Sequence, residues 1–169
     1  MAVAEIIGTA IGVMIMIIVA YLVVGGILVA GETVANAQKD LTLSNEARLR
    51  TGIELTFSDI KTAETWLNFN VTNTGSEVIT DFDQTDVLIL NSSLSGYQHN
   101  TYEPTDINYA GTWRNMGIYY GTTLNNPENI HPGELDPGEK MWVCATYTGE
   151  RPNWFQFTTS NGVSVSTTV

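Results

Sequence analysis

The chain opens with a long run of apolar positions. From Ile6 to Gly31 there are 26 consecutive residues without a charged side chain. Crossing a hydrocarbon core of about 30 Å takes about 20 such residues, and a helix of this run would be about 39 Å long. The run therefore predicts a helix that lies in a membrane or another dry environment. A single transmembrane anchor is the simplest interpretation, whereas a secretory signal peptide fits badly because the run is too long and no basic segment precedes it.

The helical pattern continues beyond the apolar run. Residues 32–50 are mostly good helix formers without Pro or Gly, and apolar positions recur at helical spacing at Ala30, Val34, Ala37 and Leu41. Gly52 then interrupts the pattern. We therefore expect residues 1–50 to form one hydrophobic helical segment.

After Thr51 an alternation with a period of two replaces the helical spacing. Phe69, for example, lies between Asn68 and Asn70, which is typical of a strand with one buried face. Asn161-Gly162 is a strong hairpin signal, and Pro137-Gly138 marks another turn. Strands are predicted at 53–57, 67–72, 87–90, 117–120, 141–147, 154–158 and 163–168.

These elements predict the fold class. About seven short strands in residues 51–169 favour an all-β immunoglobulin-like sandwich, so the whole chain is expected to be α+β, a long hydrophobic helix followed by a β-sandwich domain. The polar stretch 91–129 is interpreted as long loops around one strand, at the surface rather than in the core.

Composition excludes several classes of function. The formal net charge is −11, and the seven Lys and Arg residues are scattered, so a nucleic-acid partner is not expected. A single cysteine, Cys144, excludes an intrachain disulfide framework and a multi-cysteine metal site. His99 and His131 belong to no catalytic motif. We expect no enzyme activity, no cofactor and no small-molecule substrate.

Two features of the apolar run indicate that it is processed and packs against other helices, in addition to anchoring the chain. Glu5 lies at its edge and no Lys or Arg precedes Lys39, so the positive-inside rule would place the remainder of the chain in the cytoplasm. That conflicts with the extracellular location that we expect for the β-sandwich domain, and we therefore expect that a short basic leader once preceded Met1 and was removed. Ala4, Gly8 and Gly12 form a small-residue series that allows helices to approach closely.

A few side chains in the predicted β-domain are candidates for modification or binding. Asn70 and Asn91 each begin an N-glycosylation acceptor triplet. Asp81, Asp83 and Asp86 are weak candidates for a Ca²⁺ site, because their spacing departs from an EF-hand loop. An acidic turn facing solvent is the preferred interpretation, both here and for the group Glu134, Asp136 and Glu139. The aromatic-rich middle is interpreted as loop packing, or alternatively as a surface facing other subunits or carbohydrate: Tyr97, Tyr102, Tyr109, Trp113, Tyr119 and Tyr120.

The chain resembles the archaeal type IV pilin-like superfamily, and in particular its archaellum branch. The resemblance rests on the apolar helix running into AGETVANAQKDL, then on NVTNTGSEVITDFDQTDVLIL, LDPGEKMWV and SNGVSVS. These segments look like archaellins and like archaellum accessory proteins of FlaF/FlaG type. The resemblance implies removal of a basic leader, insertion in the cytoplasmic membrane before assembly, and bundling of the helices into a filament core sheathed by β-domains.

The expected function is therefore that of a structural subunit of an archaeal extracellular filament, for motility or adhesion. Its main partner would be itself, in a helical homopolymer, with sister subunits as further partners. Glu5 would neutralise the amino-terminal charge of a neighbouring subunit in the low-dielectric core. The alternative is a membrane-anchored stator protein of FlaF/FlaG type that binds the cell envelope, and a ligand-binding ectodomain is a third possibility.

Overall fold

The computed structural model describes residues 2–93, 96–105, 110–121 and 130–169. It begins with one long helix, α1, from Ala2 to Arg50. The chain divides into two compact units, Met1–Asn45 and Glu46–Val169. The last turn of α1 therefore belongs to the same unit as the strands.

Eight strands follow in the described residues: β1 (Ile53–Lys61), β2 (Trp66–Asn73), β3 (Asp86–Asn91), β4 (Gln98–Tyr102), β5 (Thr112–Tyr120), β6 (Glu139–Thr146), β7 (Pro152–Thr158) and β8 (Ser164–Thr168). They form one sheet in the order β1-β2-β6-β5-β4-β3-β7-β8. Neighbours are antiparallel, except that β4 and β5 run parallel. A short 3-10 helix, Phe82–Gln84, precedes β3.

The sheet folds over so that its two halves enclose the core. Phe69 of β2 contacts Phe155 of β7 with ring centroids 4.6 Å apart, although these strands are not neighbours in the sheet. Trp113 of β5 lies 5.7 Å from Phe157 of β7 in an edge-to-face arrangement. All four side chains are fully buried. Aromatic contact between the two halves therefore forms the centre of a sandwich-like or barrel-like domain.

The structure confirms the predicted fold class, a long amino-terminal helix followed by a β-rich domain. One strand in the described residues was missed. β4 lies in the stretch interpreted as loops, and β5 begins at Thr112 rather than at Gly117. The interpretation of this stretch as surface was also wrong, because Trp113 within it is a fully buried core residue.

β4 was missed because the side chain it buries most completely is polar. Asn100 is 0% exposed, and its amide nitrogen donates to the carbonyl oxygens of Thr112 and Thr146, at 3.0 and 2.6 Å. Buried polar groups are tolerated when they are hydrogen-bonded. The side chains of β4 therefore alternate between the two sides of the sheet, but the hydrophobicity of its sequence does not alternate with them.

Candidate functional site

The most unusual surface of the molecule is that of α1. Four successive residues turn through most of the helix circumference, and Met14, Ile15, Met16 and Ile17 are all more than half exposed, at 64, 56, 74 and 65%. The helix therefore has an apolar surface on every side. It contains a segment long and apolar enough to cross a membrane.

Two threonine hydroxyl groups, one within the apolar run of α1 and one just after it, are hydrogen-bonded by the helix itself. Thr9 donates to the carbonyl oxygen of Ile6 at 2.9 Å, and Thr33 donates to that of Val29 at 2.9 Å. Such internal bonds spare each hydroxyl the cost of being unpaired in an apolar environment. The two threonines are therefore compatible with burial of the surrounding surface.

The predicted helix-packing and charge-pairing residues lie in the first part of α1. Apart from the neighbouring residues and backbone of α1 itself, no heavy atom lies within 4 Å of a Cβ built on Gly8 or Gly12. Residues four apart share a helix face, which places Ala4 with these glycines, although its side chain is outside the described part of the chain. Glu5 lies in the first turn and is exposed. Their roles remain predictions.

The loop that follows β2 forms backbone hydrogen bonds with the carboxyl end of α1. The carbonyl oxygen of Arg50 accepts hydrogen bonds from the backbone N–H groups of Ser76 and Glu77, at 2.9 and 3.3 Å. That of Gly52 accepts from Thr74 and Gly75, at 2.8 and 3.1 Å. Since the last carbonyl groups of a helix have no partners within the helix, this loop acts as its cap.

Asn73 holds that loop in place. It is 0% exposed, and its amide nitrogen donates to the carbonyl oxygens of Glu77 and Leu135, at 2.8 and 2.9 Å. Its side-chain oxygen accepts from the backbone N–H of Gly75 at 3.0 Å. Asn73 was not among the residues predicted from sequence to be functional, although Asn73-Thr74-Gly75 carries the residue types of a turn.

The two candidate glycosylation sites have different surroundings. Asn70 is half-buried in β2, and its side-chain oxygen accepts a hydrogen bond from the Tyr119 hydroxyl at 3.1 Å. Asn91, at the end of β3, is 2% exposed, and its amide nitrogen donates to the carbonyl oxygen of Thr148 at 2.7 Å. Modification of both remains a prediction. For Asn91, the nitrogen that would be modified is engaged in the folded domain.

The first acidic group, Asp81, Asp83 and Asp86, does not converge on one point. Asp81 precedes the short 3-10 helix, with a left-handed φ of 52°. Burial, and to a smaller extent the charge of Asp83, raise the pKa of the Tyr102 hydroxyl. Asp86 pairs instead with His99, whose Nε2 lies 2.6 Å from its Oδ1. Among the described residues, no three His, Cys, Asp or Glu side chains form a group suited to a metal ion.

For the second acidic group, the prediction of a turn facing solvent was wrong for two of its three members. Asp136 and Glu139 are each 2% exposed. The Asp136 carboxylate accepts from the backbone N–H of His131 at 3.1 Å and lies 2.8 Å from the Nδ1 atom of the same residue. Glu139 accepts from the backbone N–H of Asp136 at 3.1 Å. Buried carboxylates require such partners.

The aromatic-rich middle separates into core and surface. Tyr102 packs on the buried ring of Trp113 with centroids 4.7 Å apart, and Tyr119 is 7% exposed. Tyr97 and Tyr120 are instead exposed at 63 and 58%. Tyr109 lies outside the described residues. Packing onto the sandwich thus accounts for one part of this group and leaves Tyr97 and Tyr120 at the surface.

Comparison with known proteins gives one match that spans the chain. A family model described as archaeal-type flagellin matches residues 3–169. No curated protein sequence matches. Among solved structures, the archaellum periplasmic stator protein FlaG from Sulfolobus acidocaldarius is similar with a TM-score of 0.46 and 15% identity, covering 70% of this chain and 100% of that one. The FlaF and FlaG stator complex from the same organism gives a TM-score of 0.45 and 15% identity, covering 68 and 87%.

Proposed function

The chain belongs to the archaeal-type flagellin family, and we propose that it polymerises through α1 into a helical homopolymer. As a member of this family it is a structural subunit of an archaeal extracellular filament. In the proposed assembly, residues 1–50 form the core and residues 51–169 form the outer layer. The single observation that carries the proposal is the apolar surface on all sides of α1.

The solvation of α1 gives the physical reason for polymerisation. Fully burying one large aliphatic side chain contributes about 1.5–3 kcal/mol, and such side chains are exposed along α1 from Val3 to Val29. Their sum is on the order of tens of kcal/mol. An isolated helix of this kind is not stable in water, whereas helices from many copies can bury one another.

Before assembly, the same surface would be accommodated by a lipid bilayer. We propose that the subunit is inserted in the cytoplasmic membrane through α1 and then transferred to the growing filament. Lipid and a bundle of sister helices are both apolar environments, so the transfer avoids exposure to water. A contact between different surfaces of neighbouring copies, repeated along a screw axis, then gives an open filament rather than a closed ring.

Within the helix bundle, Glu5 is proposed to neutralise the amino-terminal charge of a neighbouring subunit. An unpaired charge is costly in a dry core. Glu5→Gln should therefore lower filament yield, while Glu32→Gln, which removes a carboxylate beyond the apolar run, serves as the matched control. Equal filament yields from the two variants, measured in sheared extracellular material, would show that Glu5 has no such role.

We propose that α1 helices of neighbouring subunits approach each other most closely at the small-residue series Ala4, Gly8 and Gly12. Replacing Gly8 and Gly12 with Leu should disrupt assembly, because the added side chains would hold neighbouring backbones apart. Gly31→Leu, at the other end of the apolar run, is the control. Filaments with unchanged helical parameters in the Gly8 and Gly12 variant would contradict close packing at these positions.

The acidic outer layer is proposed to be glycosylated. Asn70 is the more accessible of the two acceptor sites, since the amide nitrogen of Asn91 is already bonded within the fold. Mass spectrometry of peptides from filaments should show a glycan on Asn70, and Asn70→Gln should remove it. The proposed role of the chain is structural rather than catalytic, with other filament subunits as partners.

Electron microscopy of sheared extracellular material tests the function as a whole. The wild-type chain should be the dominant protein of filaments with a dry core. Ile15→Lys should abolish the filaments, because it places a charge in the bundle, and Ile15→Leu should preserve them. Recovery of the wild-type chain only from membranes, in single copies bound to envelope proteins, would instead favour a stator role.

A further inference from the structure

One outer face of the β-domain differs from the rest of the surface in its charge. Residues 51–169 contain 14 acidic and 4 basic side chains, yet residues 152–169, which include β7 and β8, contain none of either kind. These two strands are paired, Trp154 with Thr168, Gln156 with Ser166 and Thr158 with Ser164. We call the outward side of β7 and of its neighbours β3 and β8 the β7 face.

The pleat of β7 determines which side chains form the β7 face. Phe155 and Phe157 point into the core and are fully buried, so Trp154, Gln156 and Thr158 point outward. On β3, Leu88 lies opposite Gln156 and Leu90 lies opposite Trp154, and both leucines are half-buried. The β7 face therefore contains aliphatic side chains from β3, an aromatic side chain from β7 and hydroxyl groups from β8.

Tyr97 extends the apolar part of the β7 face. Its ring centroid lies 5.3 Å from that of Trp154, and its side chain is 63% exposed. A contiguous apolar patch at the surface of a soluble domain is a candidate interaction site. Aromatic side chains are also enriched at the centres of protein–protein interfaces.

Among the described residues, the β7 face and the adjoining strand β4 carry one carboxylate, that of Asp86. Its Oδ1 lies 2.6 Å from Nε2 of His99, which is paired with Leu88 in the sheet register. The pair lies at one side of the face, away from Trp154 and Leu90. The opposite outer face, on β1, β2, β6 and β5, bears five outward charged side chains: Glu54, Asp59, Lys61, Arg114 and Lys140.

We infer that the β7 face binds the β-domain of a second copy of this chain in the filament. This inference rests on the filament assembly proposed above. Two copies of a chain with a net charge of −11 repel each other, and like charges placed together across an interface oppose association. The β7 face carries a single carboxylate side chain, that of Asp86, at one side, so a second acidic copy can approach the apolar part around Trp154 without opposing carboxylates.

The β7 face contacts a different surface of the neighbouring copy. A face that bound the same face of a second copy would generate a closed two-fold dimer, whereas a filament requires a heterologous contact. The β7 face thus adds a lateral contact between β-domains to the contact between helices. It also fits the absence of charge from residues 152–169, because a buried charge without a partner would weaken the contact.

Introducing a charge tests the inference. Ser166 and Thr56 are exposed, point outward and lie in the middle of β8 and β1, the two edge strands of the sheet. Ser166→Glu should raise the subunit concentration needed for filament formation by about tenfold or more, while the matched control Thr56→Glu should leave it near the wild-type value. Thermal unfolding of both variants checks that each β-domain is folded, and Ser166→Asn checks the effect of size without charge.

Thiol labelling provides a second, independent measurement. Cys144 is 1% exposed, and burial raises the pKa of its thiol to about 11, so it should not react with maleimide in the folded chain. Ser166→Cys and Thr56→Cys therefore each supply one reactive thiol. In filaments, Cys at position 166 should be labelled at least about tenfold more slowly than in detergent-dispersed subunits, while Cys at position 56 should remain accessible.

The outcomes separate this inference from the proposed function. Ser166→Cys filaments in which position 166 is labelled as fast as in the dispersed subunit, or normal assembly of Ser166→Glu, would overturn the role of the β7 face and leave polymerisation through α1 intact. A face that stays accessible in the filament but binds carbohydrate would overturn it equally. If the wild-type chain forms no filaments, the proposed function itself fails.

Discussion

At the residue scale, Gly75 lies where two segments of backbone approach each other closely. A Cβ built on Gly75 would overlap the carbonyl oxygen of Arg50 and the backbone nitrogen of Gly52. Both atoms belong to the main chain where α1 passes into β1, so neither can move aside easily. Glycine is therefore required at this position by space, without any unusual backbone angle.

Gly75→Ala should accordingly destabilise the second unit by about 1–3 kcal/mol, the usual cost of overpacking. Gly96→Ala is the control, since a Cβ there meets no atom within 4 Å. Urea unfolding of the full chain in detergent, followed by tryptophan fluorescence, measures the difference, because all four tryptophans lie in residues 66–154. Equal unfolding midpoints for the two variants would show that the loop shifts without cost.

His131 should make the stability of the domain depend on pH. Its hydrogen bond to Asp136 and the charge of that carboxylate raise the pKa of His131, with weaker contributions in the same direction from Glu134 and Glu139 and an opposing one from burial. The charged histidine therefore stabilises the fold at pH values below about 6.5, the pKa of an unperturbed histidine. This stabilisation is lost as the pH rises through the higher pKa of the folded state.

NMR titration should place the pKa of His131 above that of a histidine in a model peptide, and Asp136→Asn should lower it. Unfolding should also be measured at several pH values. The wild-type domain should lose stability as the pH rises through the pKa of His131, and His131→Gln should not show this loss. A His131 that titrates as in a peptide would contradict this account.

The burial of Asp136 and Glu139 was not predictable from sequence. Charged residues beside Pro137-Gly138 usually face solvent, and their local sequence offers no reason to expect otherwise. The groups that bond these carboxylates come within reach only when the turn has folded. The turn is held in place by the backbone pairing of Leu135 with Ile79, which is distant in sequence. The long-range contact decides the environment of the carboxylates.

At the element scale, β4 depends on one buried amide. Asn100→Ala should destabilise the domain by about 1–3 kcal/mol, because it removes the two hydrogen bonds that the Asn100 amide donates to the backbone carbonyl oxygens of Thr112 and Thr146. Thr101→Ala, at the exposed neighbouring position of β4, should cost clearly less. Chemical unfolding of both variants gives the comparison, and hydrogen exchange should localise the loss to the β4–β5 pair. An Asn100→Ala variant as stable as Thr101→Ala would show that the amide is not needed.

α1 and β4 show why some elements were predictable and others were not. The apolar run and the spacing of Ala30, Val34 and Leu41 are local patterns that extend over many turns, so the helix was predicted throughout. β4 covers five residues, Gln98–Tyr102, and buries an asparagine. Its partner β5 is parallel to it, so no tight hairpin turn marks the pair in the sequence.

At the scale of the whole molecule, the net charge of −11 should keep filaments apart from one another near pH 7. Approaching pH 4.3, the isoelectric point calculated from the sequence, this repulsion should disappear and the filaments should associate laterally. Turbidity and electron microscopy between pH 7 and pH 4 test this. Filaments that stay dispersed at pH 4.3 would show that something other than charge, such as a glycan layer, separates them.

The sequence by itself determined the helix, the β-rich domain, the acidic charge and, through its resemblance to the archaellum branch, the family to which the chain belongs. Each of these depends on composition or on patterns between near neighbours, which no distant contact alters. Only the tertiary structure decided that the side chains of Asn73 and Asn100 are buried and hydrogen-bonded to distant segments, that Asp136 is buried against His131, and that a face with a single carboxylate side chain surrounds Trp154. These properties arise where strands far apart in sequence become neighbours, because burial and charge environment depend on every segment that packs nearby.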